Sequence, residues 1–305
     1  MKKSCLFLSV SLLILMGCNP KSTKTVETEE DGFSFAFLTD IHVQPEKNAV
    51  EGFLQAIDTI NKLNPDFVIT GGDLVMDALN QTYGRADSLY TLYKEVSSEL
   101  NMPVYNAVGN HEVYGWHRDE EGIESHPEFG KKMFEKKMGD RFYSFDHKNW
   151  HFIILDAIYR SEEGHYIGKI DQEQIEWLKT DLEKTDKQTP IAITVHIPFI
   201  TSQAQLRQGA LAANSEGGVI TNSLEVLGMF WEYNLKLVLQ GHLHFNEDLF
   251  VGNKVHFITG GAVSGLWWSN KPGAHPEEGF QLIHVKGDEM SSEYIDFGWT
   301  PPNDI

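Results

Sequence analysis

The 305-residue chain is 41% hydrophobic and 23% charged, enough apolar mass for one domain of roughly 250 residues with a large core. A formal net charge of −19 argues against extended DNA or RNA as a partner, because so acidic a surface repels a phosphate backbone. An anionic substrate would need local attraction, which bound cations supply.

Met1-Lys2-Lys3 followed by the apolar run Leu6 to Met16 has the basic start and short hydrophobic stretch of a secretion signal, too short to span a bilayer comfortably. It ends at Leu15-Met16-Gly17-Cys18, which resembles a bacterial lipobox and implies lipidation of Cys18 as the first mature residue. Residues 1–17 are then a signal peptide, and the chain is expected to be exported and anchored by lipid to a bacterial membrane, on the periplasmic side or at the cell surface. Cleavage removes Lys2, Lys3 and Cys5, leaving 23 basic against 44 acidic residues, a net charge of −21, and no free thiol. Residues 18–32 contain almost no apolar side chain and read as a flexible tether.

The folded domain is expected over 33–299. Ser34 to Thr39 reads as a strand, Glu46 to Leu63 as a helix with Val50, Phe53, Leu54, Ile57 and Ile60 near helical period, and Phe67 to Thr70 as a second strand. Arg85 to Leu100 is a second amphipathic helix and Pro103 to Val108 a third strand. This βαβαβ opening implies a parallel sheet whose functional ends are Asp40, Asp73 and Asn110. Residues 114–142 break the rhythm and read as a solvated insertion or as a cap over the site, with one short helix near Lys131 to Lys137. Tyr143 to Phe145 and Trp150 to Leu155 look like a hairpin, in which His147 and His151 serve as turn and strand residues rather than ligands.

Further on, Gln172 to Leu182 and Leu224 to Tyr233 read as helices, Ile191 to Val195 and Leu235 to Leu239 as buried strands. Four later runs, Asp248 to Phe250, Val255 to Thr259, Phe280 to Val285 and Ser292 to Phe297, read as antiparallel strands of a second sheet packed on the first. The expected architecture is α/β, with two mixed β-sheets packed as a sandwich flanked by helices.

Polar metal-ligand residue types stand at the end of one apolar run after another. They are Asp40 and His42, Asp73 after Gly71-Gly72, Asn110 and His111 in Gly109-Asn110-His111-Glu112, His196, and His242 and His244 after Gly241. Alternation puts both imidazoles of Gly241-His242-Leu243-His244 on one side of an extended chain. Oxygen and imidazole donors without thiolate suit Mn, Fe or Zn.

These motifs, D-x-H, GGD, GNHE, a strand-end His and GHxH in this order, resemble the calcineurin-like metallophosphoesterase family from about Phe33 to Phe297. The resemblance implies two metal ions, one held by Asp40, His42, Asp73 and His244, the other by Asp73, Asn110, His196 and His242, with Asp73 bridging. It implies hydrolysis of a phosphoester by a metal-bridging hydroxide, His111 as the residue that stabilises the transition state or protonates the leaving oxygen, and Glu112 as an orienting group. Purple acid phosphatases carry a tyrosine where Met76 stands and lack the histidine found here as His42, so the chain resembles the phosphodiesterase-type members more closely. The expected substrate is a small phosphodiester; the alternative is a phosphomonoesterase or pyrophosphatase acting on a nucleotide, sugar-nucleotide or lipid phosphate. Trp267 and Trp268, in a Gly/Pro-rich loop, are candidates to stack on that substrate or to pack the loop onto the core.

Overall fold

The computed structural model describes residues 32–269 and 278–300, so the segment read as a secretion signal, Cys18 and most of the stretch read as a tether lie outside the described residues. The βαβαβ rhythm is present as β1 (Phe33–Leu38), α1 (Ala49–Leu63), β2 (Phe67–Thr70), α2 (Tyr83–Ser97) and β3 (Val104–Asn106), and the three strands pair in parallel. α1 starts three residues later than the periodicity predicts, because Lys47 and Asn48 sit at φ 58° and 52°, a left-handed backbone that no α-helix can include. α2 starts two residues earlier than expected, capped by Thr82, whose hydroxyl accepts from the Arg85 N–H.

The chain continues through α3 (Lys132–Met138), β4 (Tyr143–His147), β5 (Trp150–Ile154), β6 (Ile158–Arg160), β7 (Tyr166–Gly168) and α4 (Gln172–Lys184). It closes with β8 (Pro190–Thr194), α5 (Gln203–Gln208), α6 (Ser223–Gly228), β9 (Asn234–Gln240), β10 (Glu247–Val251), β11 (Val255–Thr259), β12 (Gly279–Lys286) and β13 (Glu289–Asp296). One sheet has the order β13-β12-β1-β2-β3, the other β10-β11-β9-β8-β5-β4, and β6 and β7 form a separate hairpin.

Three expectations need correction. β12 and β13 belong to the first sheet, β12 pairing antiparallel with β1, so the sheets do not divide the chain into halves. β11 runs parallel to β9, because the chain crosses to the outer edge as β10 and returns between them. The helix expected over Leu224 to Tyr233 stops at Gly228, beyond which Phe230, Trp231 and Tyr233 donate to carbonyls only three residues back, the tighter 3₁₀ pattern.

The seam between the sheets is aromatic: Phe35 stacks on Phe67 at 5.0 Å and meets Phe152 of the other sheet edge-on at 5.5 Å. Phe53, Ile57, Leu89 and Tyr93 of α1 and α2 cover the outer face of the first sheet. Ile175, Leu178 and Leu182 of α4 cover the outer face of the second, which completes an α-β-β-α sandwich. In the insertion at 114–142, Ile123, Met133 and Phe134 are buried in the same apolar cluster as α2. Its flank is fixed by charge: Lys131 and Arg141 reach the fully buried Asp156 just past β5, at 2.5 and 2.9 Å.

His151 ties the β4–β5 hairpin to α4. Its Nδ1 donates to Asp146 at 2.7 Å and its Nε2 to Asp181 at 2.8 Å, which requires an imidazolium. Burial lowers the His151 pKa, but the two carboxylates outweigh it and raise the value; burial likewise raises Asp181, and His151 brings it below the usual range. A raised histidine pKa contributes stability that is complete below the ordinary value near 6.5 and is lost as pH rises through the folded value. His151→Gln should therefore cost about 1 kcal/mol in urea unfolding at pH 6 and clearly less at pH 9. An equal cost at the two pH values would rule out an ionic clamp.

Candidate metal centre

Every chemistry-bearing residue singled out by the motifs lies just beyond the C-terminal end of a parallel strand, and the two sheets aim these ends at one place. Asp40 and His42 follow β1, Asp73 follows β2, Asn110 and His111 follow β3, His196 follows β8, and His242 and His244 follow β9. The backbone bends sharply there. Asp40, His42, Asp73, His242 and His244 have φ between 46° and 71°, a conformation costly for a residue with a Cβ and held only where the surroundings demand it. The approach is so close that a Cβ on Gly241 would run into Thr39 Oγ1 and lie 2.9 Å from Asp40 Oδ2.

Asp40 Oδ2 is satisfied by the Thr39 hydroxyl at 2.6 Å and the His242 N–H at 2.9 Å, whereas Asp40 Oδ1 is buried without a hydrogen-bond donor. That orphaned oxygen is 3.3 Å from His244 Nε2 and 3.9 Å from His42 Nε2, and the two imidazole nitrogens are 3.1 Å apart. A second convergence centres on Asp73 Oδ2, which lies 3.2 Å from His196 Nε2 and 3.6 Å from His42 Nε2; Asn110 Oδ1 is 3.1 Å from the same His196 nitrogen. Asp40, His42 and His244 could hold one cation and Asp73, His196 and His242 another, since in each group the donor atoms lie within 4.8 Å of one another.

The tautomers fit this use. His244 Nδ1 donates to the Gly265 carbonyl at 2.6 Å, His196 Nδ1 to Gly71 at 2.7 Å and His111 Nδ1 to Met76 at 2.5 Å. A carbonyl only accepts, so Nδ1 carries a proton in each ring and Nε2 is the atom left to face the site. Burial, and then the neighbouring His111, hold the His42 pKa well below the usual histidine value, keeping its ring neutral as a ligand requires. Burial would raise the Asp73 carboxyl, but His196 and His111 hold it well below the carboxylate range. Asp40 is brought down to about 2 against its burial, chiefly by His244.

Glu112 stands apart from the donor groups and does structural work. Its Oε2 accepts from the N–H groups of Asp73 and Gly109 at 2.8 and 2.7 Å, its Oε1 from those of Leu74 and Val75 at 2.8 and 3.1 Å. Burial and the nearby Asp73 push its carboxyl up to about 7.

The tryptophan pair divides. Trp267 is 36% exposed, its ring 4.7 Å from that of His244. Trp268 is 1% exposed, packs against Gly52 of α1 and donates its indole N–H to the Ile41 carbonyl at 2.9 Å, so it is a core residue and leaves the substrate-binding set. Sequence reasoning missed Tyr166, whose ring stands edge-on to His242 at 5.9 Å. Its three-residue strand offers no period to read.

A centre of carboxylates and imidazoles at the strand ends of such a sandwich suits a metal-dependent hydrolase, and the family match makes the class that of the phosphoric ester hydrolases. The chain belongs to the calcineurin-like phosphoesterase family, whose family model matches residues 33–246. It is 24% identical over 234 residues to a 3',5'-cyclic adenosine monophosphate phosphodiesterase of Haemophilus influenzae, covering 73% of this chain and 74% of that one. It is 23% identical over 316 residues to the manganese-dependent ADP-ribose/CDP-alcohol diphosphatase of Mus musculus, covering 86% and 85%. Among solved structures, a dimetal phosphatase from Danio rerio superposes with a TM-score of 0.63 at 16% identity, covering 87% of this chain and 96% of that one.

Asp73 sits between the two donor groups, so removing its charge should weaken both. Asp73→Asn is expected to lose bound metal and to lower turnover of bis(p-nitrophenyl) phosphate by more than about 100-fold. Elemental analysis beside the assay checks this; full metal content with normal turnover would sink the assignment.

Proposed function

We propose that this chain is a dinuclear phosphodiesterase acting on a small substrate, with one ion on Asp40, His42, Asp73 and His244 and the other on Asp73, Asn110, His196 and His242. The observation that carries this reading is the position of Asp73 Oδ2, within 3.2 Å of His196 Nε2 and 3.6 Å of His42 Nε2, one from each set. Divalent or trivalent Mn, Fe or Zn bound there supplies Lewis acidity and lowers the pKa of water toward neutrality.

The protein's own part is orientation and proton transfer. The His111 backbone N–H donates to Asp73 Oδ1 at 2.9 Å, and the ring is fixed by Met76, so Nε2 has one direction to face. The side chain is 22% exposed while those of His42 and His196 are buried, so it meets the open side of the site, where a leaving group departs. In this reading His111 delivers a proton from Nε2 to the leaving oxygen. His117 of the insertion stacks on Tyr166 at 6.0 Å, and this contact supports the insertion at 114–142 as one wall of the substrate site.

A pyrophosphatase is the second reading, favoured by the larger share of the chain that the murine diphosphatase covers. Turnover of bis(p-nitrophenyl) phosphate, p-nitrophenyl phosphate and ADP-ribose by the manganese-loaded protein separates diesterase, monoesterase and diphosphatase.

We also propose that Cys18 carries a lipid and that residues 18–32 tether the domain to a membrane on the exported side. The supports are the apolar run Leu6 to Met16 before Gly17-Cys18 and the entry of Gly32 into β1 at the strand end away from Asp40 and His42. Cys18→Ser should leave the protein folded and active but move it from the membrane to the soluble fraction; lipid-free wild-type protein purified from its native host would contradict this.

His111→Ala should retain metal and lose roughly 10²–10⁴-fold in rate on a diester with a poor alkoxide leaving group, and less on a nitrophenyl ester, which departs without a proton. Equal losses would assign His111 to charge stabilisation instead. Unchanged turnover on both would remove it from the mechanism.

A further inference from the structure

Beside His242 lies a cavity of ≈ 530 Å³, walled by Tyr166 of β7 and by the segment from Thr201 to Gly218 that carries α5. That is within the roughly 300–1,000 Å³ of small-molecule sites. Among the described residues, none that lines it is Lys, Arg, Asp or Glu, in a chain with 44 acidic side chains. A second phosphate or a carboxylate would therefore find no counter-charge among these residues, and an ammonium group no carboxylate.

What the cavity offers is amide and hydroxyl groups with fixed directions. Gln203 donates its Nε2 to the Leu243 carbonyl at 3.0 Å, and Asn214 donates its Nδ2 to the Thr201 carbonyl at 3.4 Å. Both amides are pinned through nitrogen, which leaves Oε1 and Oδ1 as acceptors for a ligand's N–H or O–H. Tyr166, held by its stack on His117 and edge-on to His242, supplies a flat apolar wall.

The segment is fastened before any ligand arrives. Gly168 of β7 donates to Glu216 and accepts from Thr221, both at 2.7 Å, and Gln240 of β9 accepts from the Phe199 N–H at 2.8 Å and donates to the Ile200 carbonyl at 3.0 Å. Such a preformed pocket avoids the ordering cost of a mobile loop.

We propose that this cavity takes one organic substituent of the phosphodiester, an uncharged ring-containing group of nucleoside size bearing N–H or O–H donors. Tyr166, Gln203 and Asn214 set the specificity for that group. The inference rests on the diesterase reading above: a phosphoryl group at the metal centre projects this substituent past His242 into the cavity.

The test uses the manganese-loaded full chain and two chromogenic diesters with the same leaving group. The p-nitrophenyl ester of thymidine 5'-phosphate carries ring N–H and O–H donors, and bis(p-nitrophenyl) phosphate carries none. Asn214→Leu and Tyr166→Ala should each lower the ratio of kcat/KM for the thymidine ester over bis(p-nitrophenyl) phosphate by about tenfold or more, chiefly through KM. Tyr166→Phe, which keeps the wall, should hold the wild-type ratio. Equal losses on both substrates, or an unchanged ratio in Asn214→Leu and Tyr166→Ala, would overturn the assignment. A wild-type protein that binds metal yet cleaves only p-nitrophenyl phosphate would remove the diesterase reading, and this inference with it.

Discussion

A carboxylate with no access to water and four backbone donors around it organises the centre. Glu112 accepts from Gly109, Asp73, Leu74 and Val75, so the turn after β3 and the turn after β2 share one buried anion. Burying a charge is costly unless its oxygens are satisfied, and here every donor comes from a peptide group whose position the chain path fixes. From the other side α2 contributes Tyr90, whose hydroxyl donates to the Glu112 carbonyl at 2.7 Å. Asp73, Asn110 and His111 therefore move as one body, although two strands supply them.

The same economy governs the joint between the sheets. The first sheet contributes the carboxylates, the second contributes three of the imidazoles, and backbone pairs lace the strand ends together: Val263 donates to the Thr39 carbonyl and Ser264 to that of Asp40. These turns oblige several residues with side chains to adopt left-handed backbone, and the metal-ligand donor atoms are what that geometry brings within reach of one another. The aromatic packing of Phe35, Phe67 and Phe152 keeps the two sets of strand ends level.

Much of this is legible in the sequence, because period and punctuation coincide. Phe67 to Thr70 and Val255 to Thr259 have the observed bounds, and each motif follows a run whose apolar residues are buried, save Val104 and Tyr105 of β3, which are half-buried. What is illegible depends on partners. Nothing in Phe280 to Val285 says that its neighbour is β1 rather than β11, since a strand buried on both faces looks the same in either sheet. Adjacent tryptophans look alike in a string, yet Trp268 turns inward because Gly52 leaves room for its ring. The carbonyls of Met76, Gly71 and Gly265 that fix the imidazoles are invisible in any sequence, being common to every residue.

The placement of β12 has a consequence for how the chain is made. Phe33 lies opposite Val285, so the phenylalanine-rich β1, FSFAFL, acquires its second neighbour only once β12, some 250 residues further along, has been made. Until then β1, β2 and β3 form a ribbon with an open apolar edge, the feature that invites pairing with another molecule. The pairing of β1 with β12 is a high-contact-order step, of the kind that forms late and slowly. A nascent or truncated chain lacking β12 carries the ligand motifs through His244 complete, and its hazard is self-association rather than a missing ligand.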